Sequence, residues 1–204
     1  IIGDCLPAGT YYIRVEARFS NFYDIPCPGG TNSAKYNMEI FQGVCTGTQV
    51  ACTGTPENEA NCQVTNTNGG CNTEPTPNFG AIACNGTVCG TADFLAGVRD
   101  TDWYQISHPG GSFTVNFQAA FYGIVTVLKP GTTGPSGCDD LTVVDGREFV
   151  VPNTATSFTI SSLAAGTYWV VVAPDFDGTK RVCCSSASNY RLNVACTPAC
   201  ACFF

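Results

Sequence analysis

Fourteen cysteines in a chain of 204 residues, with a single histidine beside them, restrict this sequence more than any other feature. Thiols at that density are either oxidised or metal-bound, and tetrahedral zinc sites draw on C-x-x-C pairs with histidines close by. No C-x-x-C pair occurs; the nearest approaches are the adjacent Cys183-Cys184 and the Cys200-Ala201-Cys202 tail. Disulfides are therefore the reading, and an oxidising compartment follows from them: the chain is expected to be secreted, extracellular or on a cell surface. The rest of the composition fits a packed β protein. Hydrophobic residues make up 44%, enough for a core, while only 12% are charged, too few for long solvated helices. A formal charge of −7 with no Lys or Arg cluster repels a phosphate backbone, so nucleic acid is excluded as a partner. No stretch approaches the ~20 apolar residues of a membrane span, and no basic region followed by an apolar run opens the chain. Ile1 is read as a processed or excised end.

The chain repeats part of itself. Leu6-Pro7-Ala8-Gly9-Thr10-Tyr11-Tyr12-Ile13-Arg14-Val15 aligns with Leu163-Ala164-Ala165-Gly166-Thr167-Tyr168-Trp169-Val170-Val171-Val172 at an offset of 157, and the same offset carries Cys27 onto Cys184. Tyr36-Asn37-Met38-Glu39-Ile40 then matches Tyr190-Arg191-Leu192-Asn193-Val194. Residues 1–45 are thus expected to be the C-terminal part of a first β-sandwich module, 46–80 a cysteine-rich linker, and 81–204 a complete module. A pair of strands is marginal alone in water. Tyr11, Tyr12, Ile13, Val15, Tyr36, Met38 and Ile40 are accordingly the expected assembly residues, docking on a neighbour or on the main domain.

Alternation of apolar and polar residues marks strands in the complete module. Trp103 to Ile106 and Phe113 to Phe117 flank His108-Pro109-Gly110-Gly111 and read as a hairpin. Ile124 to Leu128, Val143 to Val151, Ser157 to Ile160, Thr167 to Ala173 and Asn189 to Ala195 follow. The pattern predicts an all-β fold, an antiparallel, jelly-roll-like, disulfide-rich β-sandwich with a partial second sandwich module. Gly166 and Tyr168 read as a sheet-crossing corner whose hydroxyl satisfies exposed backbone.

No catalytic set emerges. Ile1-Ile2-Gly3 resembles a mature trypsin-like N-terminus, but no Gly-Asp-Ser-Gly-Gly segment exists, and His108 in its Pro-Gly-Gly turn reads as a solvated loop side chain. Calcium is the one cofactor suggested. On a strand, Asp100 and Asp102 project from one face with Trp103 turned toward the core, and Asp175 and Asp177 repeat the spacing. Among the cysteines, Cys84 and Cys89 bracket a turn and are expected to pair locally. Cys62 with Cys71, and Cys138 with Cys183 or Cys184, are the next expectations, while Cys45 and Cys52 would close short loops of the linker.

Arg99-Asp100-Thr101-Asp102-Trp103-Tyr104, followed by Leu163-x-Ala165-Gly166-Thr167-Tyr168 and Tyr190-x-Leu192-x-Val194, resembles the bacterial pre-peptidase C-terminal domain over residues 81–196, with 1–45 as a partial second copy. Gly69-Gly70-Cys71-Asn72 with Cys84 and Cys89 is similar to cysteine-rich tandem versions of that module. The resemblance implies a non-catalytic jelly-roll-like sandwich, appended to secreted proteases or repeated in surface proteins, with relatives in collagenases that bind collagen and calcium. No peptidase segment accompanies the module here.

Two functions follow as expectations. The first is a structural protein of repeated modules that self-associates into a surface layer, stalk or filament by strand sharing or stacking. The second is an adhesion module for glycan or collagen, with Phe19, Phe22, Tyr23, Phe121 and Tyr122 as stacking aromatics.

Overall fold

Alternating side chains decide which strands form and which way each one faces. The computed structural model describes residues 48–59, 67–73, 75–95, 98–175 and 188–198. Twelve strands are built from them: β1 (Thr55–Pro56), β2 (Gly80–Ala81), β3 (Thr87–Thr91), β4 (Phe94–Leu95), β5 (Val98–Arg99), β6 (Asp102–His108), β7 (Gly111–Ala119), β8 (Gly123–Lys129), β9 (Thr142–Val150), β10 (Thr156–Leu163), β11 (Gly166–Pro174) and β12 (Asn189–Pro198). In β7 every second residue, Phe113, Val115, Phe117 and Ala119, is buried, and β12 buries Tyr190, Leu192, Val194 and Cys196 in the same way. Among the described residues, β4 and β5 pair only with each other.

The other strands form two five-stranded sheets, ordered β1-β3-β12-β7-β10 and β2-β6-β11-β8-β9. Most pairs are antiparallel, but β1 runs parallel to β3 and β2 parallel to β6, so both sheets are mixed. A core drawn from both sheets fills the space between them, with Ile106, Phe113, Val125, Val170 and Leu192 almost fully buried. The described part is therefore the all-β, disulfide-bonded sandwich expected from the sequence, with mixed sheets where wholly antiparallel ones were expected.

β6 and β7 do not make the expected hairpin. They belong to opposite sheets, and Gly110 and Gly111, with φ of 92° and 109°, turn the chain from one layer to the other. The corner between β10 and β11 makes the same kind of crossing, and there the Tyr168 hydroxyl donates to the Ala164 carbonyl at 3.1 Å, as the sequence suggests. Trp103 also departs from expectation. Asp102, Tyr104, Ile106 and His108 are the inward positions of β6, which turns Trp103 to the outer face of its sheet. It packs there with Trp169, Leu128 and Val171, covered by Phe79, Leu141 and two cysteines. Phe79 stacks on Trp169 with ring centroids 4.5 Å apart.

Among the described residues three disulfides are formed, and the expected pairings are corrected. Cys84 bonds Cys196, Cys52 bonds Cys89, and Cys71 bonds Cys138. A Cys84–Cys89 bond fails because the two side chains face opposite ways: Cys84 packs on the inter-sheet core, whereas Cys89 takes an outward position of β3 between inward Val88 and Gly90. Cys71 and Cys138 meet over the outer aromatic cluster, which excludes both Cys62–Cys71 and Cys138 with Cys183 or Cys184. Cys45, Cys62, Cys183 and Cys184 lie outside the described residues.

The described parts of 46–80 are laid against the sandwich. Besides β1, β2 and two of the disulfides, Trp103 N–H donates to Asn68 O at 2.8 Å, and Gly70 and Asn78 form a bridge. Gly70 is needed there, because its φ is +55° and a Cβ would lie 2.1 Å from the Trp103 ring. The proposed first module and its assembly residues, Tyr11, Tyr12, Ile13, Val15, Tyr36, Met38 and Ile40, fall outside the described residues.

Candidate cation site in a buried carboxylate cluster

At the end of the core where β6 begins, acidic side chains converge with two tyrosines. Asp102 opens β6 on its inward face and is fully buried; Tyr104, two residues on, shares that face. Tyr190 occupies the first inward position of β12 in the opposite sheet, and its hydroxyl donates to Asp102 Oδ2 at 2.9 Å. Asp93 and Asp100 are buried close by, joined through Asp100 N–H donating to Asp93 O at 2.9 Å.

The remaining acids come from the segment after β1. Glu57 N–H donates to Cys89 O at 3.1 Å, extending the parallel pairing by one residue. Its Oε1 accepts from Thr91 N–H and from the Thr91 hydroxyl, and its Oε2 lies 2.9 Å from the Tyr104 hydroxyl and 3.0 Å from that of Tyr190. Gly90, paired with Tyr190 across β3 and β12, makes this possible: a Cβ there would lie 2.3 Å from the Tyr190 ring and 2.5 Å from Glu57 Oε2. Glu57, Glu59 and Asp102 each present a carboxylate oxygen within 4.8 Å of the others.

Burial and crowding set the electrostatics. Asp100 is pushed up to about 8, first by loss of water and then by the charges of Glu59, Glu57 and Asp93. Asp102 is raised well above the carboxylate range, again by burial first and then by Glu57 and Asp100. Burial also raises Glu57, against the hydrogen bonds from Thr91, Tyr104 and Tyr190 that favour its charged form. Tyr104 and Tyr190 are both raised, chiefly by burial.

Proton counting leads to the same conclusion. Tyr104 and Tyr190 are 2.5 Å apart, each approaches Glu57 Oε2, and Tyr190 also touches Asp102, making four short oxygen–oxygen contacts. Each hydroxyl carries one hydrogen, so the two together satisfy only half of them. A carboxyl proton or a bound cation relieves the shortfall.

A hard cation fits the same place. Asp102 Oδ1 is buried with no hydrogen-bond partner among the described residues, as is Asn68 Oδ1, whose amide donates to the Tyr104 hydroxyl at 3.3 Å. The donor set is all oxygen, which suits calcium and not zinc. Of the two expected calcium residues, both lie in the cluster, with Asp102 at its centre and Asp100 beside it. Glu57, Glu59, Asp93, Tyr104 and Tyr190 were missed by sequence reasoning. The alternation of Glu57 and Glu59 just after Thr55-Pro56 was the available signal, and it lay in a stretch read as linker.

Other expected residues lie elsewhere. Asp175 is buried, with its N–H donating to Tyr122 O and its carbonyl accepting from Arg99, and Asp177 is outside the described residues. Phe121 is 3% exposed and packs in the core, so it offers no stacking surface, whereas Tyr122 is 38% exposed. Phe19, Phe22 and Tyr23 fall outside the described residues. His108 is not a solvated loop residue. It ends β6, is 2% exposed, and packs edge-to-face against Phe113 and Tyr168.

No family model matches the chain, and no curated protein matches it. Among solved structures, it is similar to the pre-peptidase C-terminal domain of a collagenase from Bacillus anthracis, with a TM-score of 0.39 and 16% identity over 60% of this chain and 99% of that one. It is also similar to PliG of Aeromonas hydrophila, a periplasmic inhibitor of g-type lysozyme, with a TM-score of 0.35 and 12% identity over 57% of this chain and 96% of that one. Likeness at this level carries no argument about function.

Proposed function

We propose that the described unit is a non-catalytic, calcium-holding β-sandwich, serving as an accessory or binding module of a protein in an oxidising, extracellular or envelope compartment. The observation that supports this reading best is the carboxylate cluster, where Glu57, Glu59 and Asp102 bring carboxylate oxygens together and Asp102 Oδ1 is buried without a hydrogen bond from the described residues. Acids gathered in a dry site repel one another, and a divalent ion supplies the compensating charge when bound. Glu57, Glu59 and Asp102 would hold it, with Asp100 and Asp93 adding negative field. Tyr190 and Tyr104 orient Asp102 and Glu57 through their hydroxyls. The disulfides Cys52–Cys89, Cys71–Cys138 and Cys84–Cys196 are consistent with an oxidising location.

Isothermal titration of chelator-treated protein tests the reading. Calcium is expected to bind to the wild-type chain and at least about tenfold more weakly to Asp102→Asn. Terbium is expected to luminesce by energy transfer from the adjacent tyrosines. No binding heat and no terbium signal would reject the calcium assignment.

A second reading rests on the sequence repeat of residues 1–45. In it, modules of this kind self-associate into a surface layer, stalk or filament, with a glycan or collagen surface as the alternative. Light scattering of the full chain separates the two. A strictly monomeric chain that binds glycan or collagen favours adhesion, and concentration-dependent growth favours assembly.

A further inference from the structure

The chain's one imidazole is buried beside a disulfide. His108 sits at the last inward position of β6, and Cys196 at the last buried position of β12. Cys84, in the tight turn that leads into β3, bonds Cys196 with Cα atoms 5.4 Å apart. A nitrogen of His108 and both sulfur atoms lie within 4.8 Å of one another. The ring is 2% exposed and walled by Phe113 and Tyr168, and among the described residues neither Nδ1 nor Nε2 has a hydrogen-bond partner. A neutral imidazole carries one donor and one acceptor, and burying both unpaired is costly where an apolar ring would pack. The arrangement sets a ring nitrogen within reach of two sulfurs.

We propose that Cys84, Cys196 and His108 form a redox-gated metal site that takes one zinc ion when the disulfide is opened. A dithiol reductant is oxidised to its own disulfide as the Cys84–Cys196 bond takes up two electrons and two protons. Zinc then displaces the two thiol protons to solvent and binds two thiolates and the neutral imidazole, leaving its fourth position to water. Tetrahedral zinc–thiolate geometry needs the sulfurs roughly 3.8 Å apart, a separation that rotation about the Cα–Cβ bonds supplies once the S–S bond is broken. Two soft thiolates with one imidazole select a d10 cation over calcium or magnesium. The half-buried Cys84 gives reductant and ion their way in. The site is separate from the carboxylate cluster. Asp102 and Tyr190 lie at one end of the inward faces of β6 and β12, and His108 and Cys196 lie six residues away, about 20 Å along each strand.

The test uses the full chain, opened with a dithiol and freed of it under argon, then pulsed with an alkylating agent with and without one equivalent of zinc. Peptide mass mapping reads each cysteine. Zinc is expected to slow alkylation of Cys84 and Cys196 by at least about tenfold, while Cys52, Cys89, Cys71 and Cys138 react as before. His108→Phe is expected to abolish that selective protection. Equal protection at all pairs, protection elsewhere only, or protection retained by His108→Phe would overturn the site. If His108→Phe does not fold, the wild-type comparison decides alone.

Discussion

Asp102 is a carboxylate in a place where water cannot reach it, and much of the chemistry of this protein follows from that. Burial and crowding make Asp100, Asp102 and Glu57 bind protons more tightly in the ion-free fold than in the unfolded chain. The sign follows from linkage: where the native state binds more protons than the unfolded state, stability falls as pH rises. Ion-free protein is therefore expected to lose stability between about pH 4 and pH 8, the window set by Asp100, in urea titrations with chelator present. Calcium competes with those protons, so its affinity is expected to rise over the same window. An affinity independent of pH would separate the carboxylates from the ion. Gly90 is the second decisive residue. Gly90→Ala puts a methyl group against Tyr190 and Glu57, and overpacking of this kind costs about 1–3 kcal/mol. A loss of stability together with weakened calcium binding is expected; unchanged binding would show that Glu57 is not a ligand.

At the scale of elements, β6 and β12 explain why two buried polar groupings share one core. Both strands alternate strictly, and their inward residues run from Asp102 to His108 and from Tyr190 to Cys196. Alternation in β7 to β12 was legible in the sequence and placed those strands close to where they lie, whereas β3 fell in a stretch read as a turn and β6 was read with Trp103 inward. What the pattern could not give was the layer each strand joins. Gly110-Gly111 turns equally well within a sheet or between sheets, and only packing of Phe113 and Val115 against the other layer decides. Trp103 was misassigned for a related reason: a large apolar residue beside an acid reads as inward, yet Asp102 holds the inward position because it has tyrosine partners there. The outer cluster depends on its disulfide. Cys71→Ser with Cys138→Ser opens a link spanning 67 residues and is expected to cost about 2–5 kcal/mol in chemical denaturation. Tryptophan fluorescence is expected to shift to the red as Trp103 and Trp169 lose their cover, and an unchanged spectrum would mean that the loop stays down without the bond.

For the whole molecule, the disulfides join residues far apart in the chain, 112 positions in the case of Cys84–Cys196. Such pairings follow from which face of which strand a cysteine occupies, so spacing along the sequence misled where Cys84 and Cys89 looked adjacent. The carboxylate cluster is long-range in the same way. Asp100 and Asp102 were visible as a pair, but Glu57 and Tyr190 reach them from 43 or more residues away, through β1 and β12. The central claim is that a divalent ion completes this fold. Scanning calorimetry of the wild-type chain in chelator and in calcium tests it most directly. With calcium at 100 times its dissociation constant, unfolding is expected to cost about 2.7 kcal/mol more and to move to higher temperature, an increase absent in Asp102→Asn. The same melting temperature with and without calcium would contradict it.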